Sequence, residues 1–380
     1  MVIDDDVVVQ DSIDNLVISP VLTEKLNGVS SLEYTIPFND ALYDSYKRRI
    51  TKVRVYNAVN NDDILQFKGR LLKEQVKFDG SKTLTFEGEL AYLNDVQFPP
   101  FEFEGDYPDL FKKIIEYYNS KCDSDKQFVI GRTTFLDINN YITRSSESYN
   151  SCWNTINEKI LNYGGYLKLR YVGDIRYIDL LNESGDTSNQ KIEFGKNLLD
   201  LENYIDTSNI ATVLIPLGAK QSEVEELEDG ITRTYTADCL DIRSVNNDVE
   251  YVESELSKAL GRVEIVESWD DVTIPQNLLN KAKKRLSELI LENQTISVKA
   301  VDLFFSEKNI SYFKIGDIVP VVSIPHNVDT TMILTQIKKN LNDPVKDSYE
   351  LGTEKKKLTS TINNSIKNEI DKSINSQTVN

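Results

Sequence analysis

The chain has 380 residues, with 43 Lys and Arg residues against 61 Asp and Glu residues, for a formal net charge of -18. This length is too great for one ordinary hydrophobic core and predicts two to four domains. The acidic balance argues against DNA or an anionic membrane as a binding partner, although a repelling surface would let DNA slide past.

Cysteine usage and the N-terminal residues bear on the compartment. Cys122, Cys152 and Cys239 are too few for a disulfide framework and fit assembly in a reducing cytoplasm. The segment Met1–Asp6 has neither the basic region nor the apolar region of a secretory signal. No stretch approaches the roughly 20 apolar residues of a membrane span, so we expect no membrane association.

Residues 1–100 have the pattern of short strands. Lys52–Tyr56 alternates apolar and polar residues, and Leu71–Phe78 and Thr83–Gly88 flank the pair Asp79-Gly80. An Asp-Gly pair between alternating runs is a strong β-hairpin signal. We predict a small β-barrel or β-sandwich over residues 1–100.

Residues 101–205 change to a mixed pattern. Asp106-Tyr107-Pro108 is a typical helix start, and a second helix is predicted from Ser148 to Tyr163, with Gly164 as its stop. Gly173-Asp174 then sits between two alternating runs and predicts a second hairpin. Helices followed by antiparallel strands indicate an α+β domain.

The strand pattern returns over residues 206–240 and 295–352, for which we predict a second β-barrel. The intervening residues 241–294 form a predicted α/β insertion, in which Pro275 opens an amphipathic helix through Asn293. Two barrel-like segments indicate a duplicated architecture, although no clear sequence repeat links them. The fold class is therefore α+β and mainly β.

Two further patterns belong to the C-terminal part of the chain. Phe313–Val322 is predicted to be a strand–turn–strand, with Gly316-Asp317 as the turn. Within residues 353–380, apolar residues recur at every fourth position and predict a terminal helix with a slanting apolar stripe. This helix is either solvated or meets copies of itself or a partner. Its stripe consists of Leu358, Ile362, Ile366, Ile370 and Ile374.

Several short sequence segments, in their order along the chain, resemble those of the prophage endopeptidase-tail family, the tail hub proteins of bacteriophages. The first of them is the hairpin segment Gly164–Leu181, and the others follow it towards the C-terminus. They are Ile192–Leu201, Thr212–Ala219, Phe313–Asp317, Met332–Ile337, Asn342–Pro344 and Leu351-Gly352.

The resemblance implies a homotrimer in which each subunit carries two related β-barrels side by side. Three subunits would then form a six-fold-like ring that adapts a hexameric tail tube to a trimeric spike or lysin. Distal tail or baseplate proteins would be further partners, and DNA would pass through the channel without specific binding. The expected location is the virion tail tip or baseplate, after assembly in the bacterial cytoplasm.

Because the family label contains the word endopeptidase, we considered catalytic residues. His326 is the only histidine, and no serine or cysteine lies in a nucleophile elbow such as G-x-S-x-G. A zinc hydrolase normally needs several His or Cys ligands, and the acidic turns Asp4–Asp6 and Asn60–Asp63 lack the calcium loop pattern. We expect no catalytic, cofactor-binding or metal-binding residues.

The leading hypothesis is a structural tail hub protein of a bacteriophage or a phage-tail-like bacteriocin. The alternative is a tail-associated peptidoglycan hydrolase with an unrecognised site. A third option is a secretion-system spike, which the resemblance implies would share the hub architecture. Predicted interface residues come from two strand segments and the terminal helix. They are Val53, Val55, Tyr56, Phe313, Ile315, Ile318, Val321, Leu358, Ile362 and Ile366.

Overall fold

A computed structural model describes residues 1–3, 7–8, 17–59, 62–206, 210–226, 232–270, 272–289, 293–305 and 310–352. Most of its regular structure is antiparallel β-sheet, with four α-helices among these residues. This confirms the predicted mainly β, α+β fold class. The predicted terminal helix over 353–380 lies outside the described residues, as do Asp4–Asp6, Asn60 and Asn61.

The first part of the chain forms a curled antiparallel sheet whose inward-facing side chains meet in one core. Its β6–β7 hairpin turns at Gly80, where φ is +78°, which confirms the Asp-Gly hairpin prediction. We call strands β3–β7 the first β half. The strands are β1 (Val2–Ile3), β2 (Val7–Val8), β3 (Ile18–Lys25), β4 (Ser31–Ile36), β5 (Lys52–Val59), β6 (Asp62–Val76) and β7 (Lys82–Gly88).

An α+β domain follows. Asp106 caps its first helix by accepting a hydrogen bond from the Asp109 backbone N–H at 2.8 Å. The second helix begins after Ser151, later than predicted, because the Ser151 hydroxyl caps it there. The elements are β8 (Gln97–Phe98), β9 (Phe101–Gly105), α1 (Tyr107–Lys121), β10 (Val129–Thr133), β11 (Ile142–Ser146), β12 (Asn150–Ser151), α2 (Cys152–Lys159), β13 (Tyr166–Val172) and β14 (Ile175–Leu181).

The remaining elements build a second curled sheet and a domain inserted into it. We call β16 and β22–β25 the second β half. The elements are β15 (Ile192–Glu193), β16 (Leu198–Asp206), β17 (Val213–Leu217), β18 (Lys220–Glu226), β19 (Thr232–Cys239), β20 (Val252–Glu253), α3 (Ser257–Leu260), β21 (Glu264–Ser268), α4 (Pro275–Leu289), β22 (Asn293–Ala300), β23 (Ile318–Ser323), β24 (Val328–Asn340) and β25 (Ser348–Gly352).

The strand pairing places the domain boundaries differently from the sequence prediction. Residues 206–240 were assigned to the second barrel, but β17 pairs with β20 and β21, while β18 pairs with β19. Leu214 on β17 shares a core with α4, which holds this strand in the insertion. Conversely, residues 198–205, which the sequence predicts in the α+β domain, belong to β16, and β16 pairs with β22.

Two predicted elements also need correction. The helix that opens at Pro275 is described to Leu289, and Asn293 begins strand β22 instead of ending the helix. In Phe313–Val322 only the part after the turn is a strand, β23. The part before Gly316 has irregular backbone, although Phe313 is still buried in the core. Gly316 has φ +88°, so the turn itself lies where it was predicted.

The two β halves repeat one topology. The spatial order is β3-β4-β7-β6-β5 in the first half and β16-β22-β25-β24-β23 in the second, with corresponding strands in the same chain order. The longest strand of each half carries a bulge opposite its hairpin partner, between Leu71 and Lys73 in β6 and between Leu334 and Gln336 in β24. A shared order and a shared bulge establish an internal duplication that the sequence alone only suggested.

Backbone hydrogen bonds at the bulge fix which residues correspond. Leu71 donates to Thr51 and accepts from Arg49, and Leu334 donates to Asp317 and accepts from Gly316. Arg49 and Gly316 both have positive φ, at 63° and 88°. When Leu71 is matched to Leu334, the residues that lie beside them on the neighbouring strands of each sheet also correspond. They are Leu71–Phe86–Leu32–Leu22 in the first half and Leu334–Leu351–Ile296–Asn203 in the second.

Candidate assembly surface

The predicted interface residues of the first β half lie mainly inside it. Val53 and Val55 are buried in the core of the first β half, and their strand β5 pairs on both sides, with β6 and β1. Tyr56 is 36% exposed and follows Val55 at an irregularity in the pairing of β5 with β6. Of these three side chains, only that of Tyr56 is available to a neighbouring molecule.

The predicted interface residues of the second β half are similarly placed. Phe313 and Val321 are buried in its core, and Ile315 packs against that core from the edge. Ile318 is buried against Tyr166 of the α+β domain. Leu358, Ile362 and Ile366 lie outside the described residues. Involvement of all these segments in an interface stays a prediction. Within the described residues, the side chains of Phe313, Ile318 and Val321 are buried in the chain's own fold.

The structure draws attention to a surface that sequence reasoning missed, the junction between the two β halves. The end of β24 pairs antiparallel with β3, so that Gln336–Asn340 faces Val21–Lys25. Hydrogen bonds of 2.9 Å extend the pairing at both ends, from Leu26 N–H to the Thr335 carbonyl and from Leu341 N–H to the Pro20 carbonyl. The two halves therefore form one continuous sheet.

Side chains reinforce this junction. Lys339 Nζ lies 2.9 Å from Glu24 Oε2, with both side chains 19% exposed. Burial alone would lower the Lys339 pKa, but the neighbouring Glu24 carboxylate raises it above its ordinary value. Leu341, just beyond β24, packs on the core of the first half. An apolar anchor and a shielded ion pair thus flank the shared backbone pairing.

A second junction ties the α+β domain to the first β half. Arg176 on β14 forms a bidentate pair with Glu89, the residue that directly follows β7, with Nε–Oε2 at 2.5 Å and Nη2–Oε1 at 2.7 Å. Both side chains are at most 10% exposed. At the β13–β14 turn, Asp174 lies 3.3 Å from Lys68 Nζ on β6. Charged pairs with this geometry fix orientation as well as contributing energy.

One contact in the structure bears on catalysis. The Ser323 hydroxyl lies 2.6 Å from His326 Nδ1, which is the kind of pair that a serine hydrolase uses. Ser323, however, is 0% exposed at the end of β23, and His326 ends the single 3-10 turn that follows this strand. A nucleophile has to reach the carbonyl carbon of its substrate, and a buried hydroxyl does not.

The cysteines and acidic residues give a similar picture. Burial raises the pKa of the Cys152 thiol to about 12, so this residue is a thiol rather than the nucleophilic thiolate at neutral pH. Across the part of the chain that is described, no group of three His, Cys, Asp or Glu side chains is placed to hold a metal ion. No helix within the same part is long and apolar enough to cross a membrane.

Solved structures of phage tail proteins share this fold. Prophage tail protein gp18 from Listeria monocytogenes EGD-e is 15% identical, with a TM-score of 0.54 and 92% of each chain covered. A tail protein from Neisseria meningitidis MC58 is 15% identical, with a TM-score of 0.55, covering 88% of this chain and 91% of its own. The 43 kDa tail protein of prophage MuSo2 from Shewanella oneidensis is 11% identical, with a TM-score of 0.54 and coverages of 89% and 94%. The chain therefore has a phage tail protein fold.

The sequence itself points to a particular family within this class. Residues 186–362 match the model of the family described as Prophage endopeptidase tail. This match confirms the predicted resemblance and covers the second β half together with its inserted domain. No curated protein matches the chain by sequence.

Proposed function

We propose that the chain is a structural tail hub protein of a bacteriophage or a phage-tail-like bacteriocin. It acts as a homotrimeric ring that joins the tail tube to a spike or lysin at the tip. The family match and the tail protein fold support a place in the tail. The protein acts through its shape, because it presents matching surfaces to partners of different symmetry.

The observation that carries this proposal is the duplication of the β halves. Two halves with the same strand order give each chain two similar modules. Three chains therefore offer six similar surfaces, which suits a hexameric tube on one side. The three chains still retain the threefold arrangement that a trimeric spike needs on the other. The net charge of -18 fits a channel that DNA passes through without binding.

The molar mass of the purified protein tests this proposal. Light scattering should give three chains per particle, either for the protein alone or after addition of the tail tube protein. A monomer that persists at the highest soluble concentration and does not bind tube protein would contradict the ring.

A hydrolase is the second candidate. The Ser323–His326 contact has the residue types of a serine hydrolase, and catalysis would require a rearrangement that exposes the Ser323 hydroxyl. Wall clearing by the purified protein, assayed on peptidoglycan embedded in a gel, separates the two functions. The structural hub predicts no clearing by the wild type. Clearing that is lost in Ser323→Ala and His326→Ala would establish the hydrolase.

A further inference from the structure

The duplication assigns a counterpart to each side of the junction between the β halves. Leu71 corresponds to Leu334, so the junction segment Gln336–Asn340 of β24 corresponds to residues 73–77, which are the end of β6 and the residue after it. Among the described residues, Lys73–Val76 pairs with β7 only, because β5 pairs no further along β6 than Arg70. The first half thus has an open edge where the second half has a partner.

The other side of the junction has an equally open counterpart. Leu22 corresponds to Asn203, so the β3 segment Val21–Lys25 corresponds to residues 202–206 of β16. Within the described part of the chain, residues 202–206 of β16 pair with β22 alone. Two large apolar side chains of this strand are exposed, Leu199 at 52% and Tyr204 at 63%.

We infer that the β6 edge of one copy pairs antiparallel with the β16 edge of a second copy, repeating between chains the junction that β24 and β3 form within one chain. The partner is therefore another molecule of this protein. The inference rests on the proposed ring and specifies the surface through which it closes. Such a contact joins different surfaces of the two copies, which is the type that closes into rings.

The charges of the residues that this pairing would bring together give a second argument for it. When the register of Gln336–Asn340 on Val21–Lys25 is transferred, Lys73 falls opposite Asp206 and Lys77 opposite Glu202. Directly opposed residues of antiparallel strands have Cβ atoms about 5 Å apart, where opposite charges attract. Both lysines and Glu202 are exposed in the single chain. In a chain of net charge -18, two opposed pairs of the right sign favour this register.

An exposed aromatic residue provides the apolar anchor. Phe78 corresponds to Leu341, which packs on the core of the other β half, whereas Phe78 has a relative exposure of 110%. Val76, two residues earlier, is 61% exposed. Large exposed apolar residues beside an unpaired strand edge are a liability for a soluble chain unless a partner covers them. The transferred junction covers both.

Site-specific crosslinking tests the contact directly. Lys77→Cys and Glu202→Cys are made in separate chains that also carry Cys122→Ser and Cys239→Ser, which leaves the buried Cys152 as the only native thiol. The two proteins are mixed and oxidised. Because each protein carries one engineered cysteine, a covalent dimer that appears only in the mixture joins residue 77 of one copy to residue 202 of another. That product is expected.

Self-association of surface variants provides the second readout. Phe78→Asp should weaken association at least roughly tenfold, because an apolar anchor is lost and a charge is buried. Ile324→Asp is the matched control, since Ile324 is 76% exposed at a turn of the other half. Lys77→Glu should weaken association, and Lys77→Glu combined with Glu202→Lys should restore it.

The outcomes separate this surface from the ring itself. Trimers that form without the 77–202 crosslink, and that tolerate Phe78→Asp as well as Ile324→Asp, would overturn the surface and leave the proposed function standing. A wild-type chain that never associates, with or without tube protein, would overturn both.

Discussion

The buried Arg176–Glu89 pair gives the sharpest test of the packing between the first β half and the α+β domain. Replacing Arg176 by Met keeps most of the apolar stem but leaves the Glu89 carboxylate, itself 3% exposed, without its bidentate cation. Removing one partner of a buried pair typically costs about 3–5 kcal/mol, because the remaining charge stays desolvated. We expect a loss of this size in the free energy of unfolding.

Urea unfolding followed by tryptophan fluorescence measures this loss. Trp153 belongs to the core of the α+β domain, whereas Trp269 packs in the inserted domain. A Trp269→Phe background therefore reports the α+β domain alone. Lys258→Met is the control, because Lys258 and Glu255 form an ion pair with side chains 78% and 89% exposed. That variant should leave the urea midpoint unchanged.

A double variant identifies the origin of the effect. Arg176→Met combined with Glu89→Gln removes the stranded charge and should recover at least half of the lost stability. If Arg176→Met costs less than about 1 kcal/mol, the pair is not desolvated as described. If the double variant is no more stable than the single one, the uncompensated Glu89 is not the source of the loss.

Three further predictions concern single residues of the fold. Burial raises the pKa of Asp347 to about 7, so the folded chain binds more protons than the unfolded chain between about pH 4 and 7, and its stability falls as pH rises through that window. Asp347→Asn should remove this pH dependence, which lowers the free energy of unfolding by at most about 4 kcal/mol above pH 7, as measured by urea titration. Asp329→Asn, at an exposed site, should leave the pH dependence in place. Gly316→Ala should cost at least about 3 kcal/mol in thermal unfolding, because φ is +88° and the new Cβ would meet the Ser184 carbonyl oxygen; a normal melting temperature would contradict this. Gly173→Ala, at φ +58° with open space around it, should cost only about 1 kcal/mol.

Local signals in the sequence predicted local structure well. The Asp79-Gly80 and Gly173-Asp174 turns were found because a positive φ restricts the residue type at a hairpin. The cap at Asp106 was found because a side-chain acceptor before a Pro-containing first turn is typical of a helix start. In these cases the cause lies within a few residues of the effect.

Long-range pairing was not predictable from the same patterns. The β24–β3 junction joins residues about 300 positions apart, and the sequence of neither strand identifies the other as its partner. Val53 and Val321 were assigned to an interface because an alternating strand looks the same whether its apolar face meets its own core or a neighbour. The sequence also places residues 198–205 in the wrong domain for the same reason, because their partner strand β22 follows a whole inserted domain.

The exposed edge residues could be recognised only after the duplication was established. Phe78 in the sequence is one aromatic residue before a turn, and its meaning comes from its correspondence to Leu341 in the other half. The role of Phe78 becomes visible only when the two β halves are aligned by their backbone hydrogen bonds.

Electron cryo-microscopy of the assembled tail tip tests the central claim most directly. The account predicts three copies of the chain around the tail axis, with six β halves in equivalent positions and with Phe78 of each copy against the β16 edge of the next. Absence of the chain from the axis, or copies arranged without threefold symmetry, would contradict it.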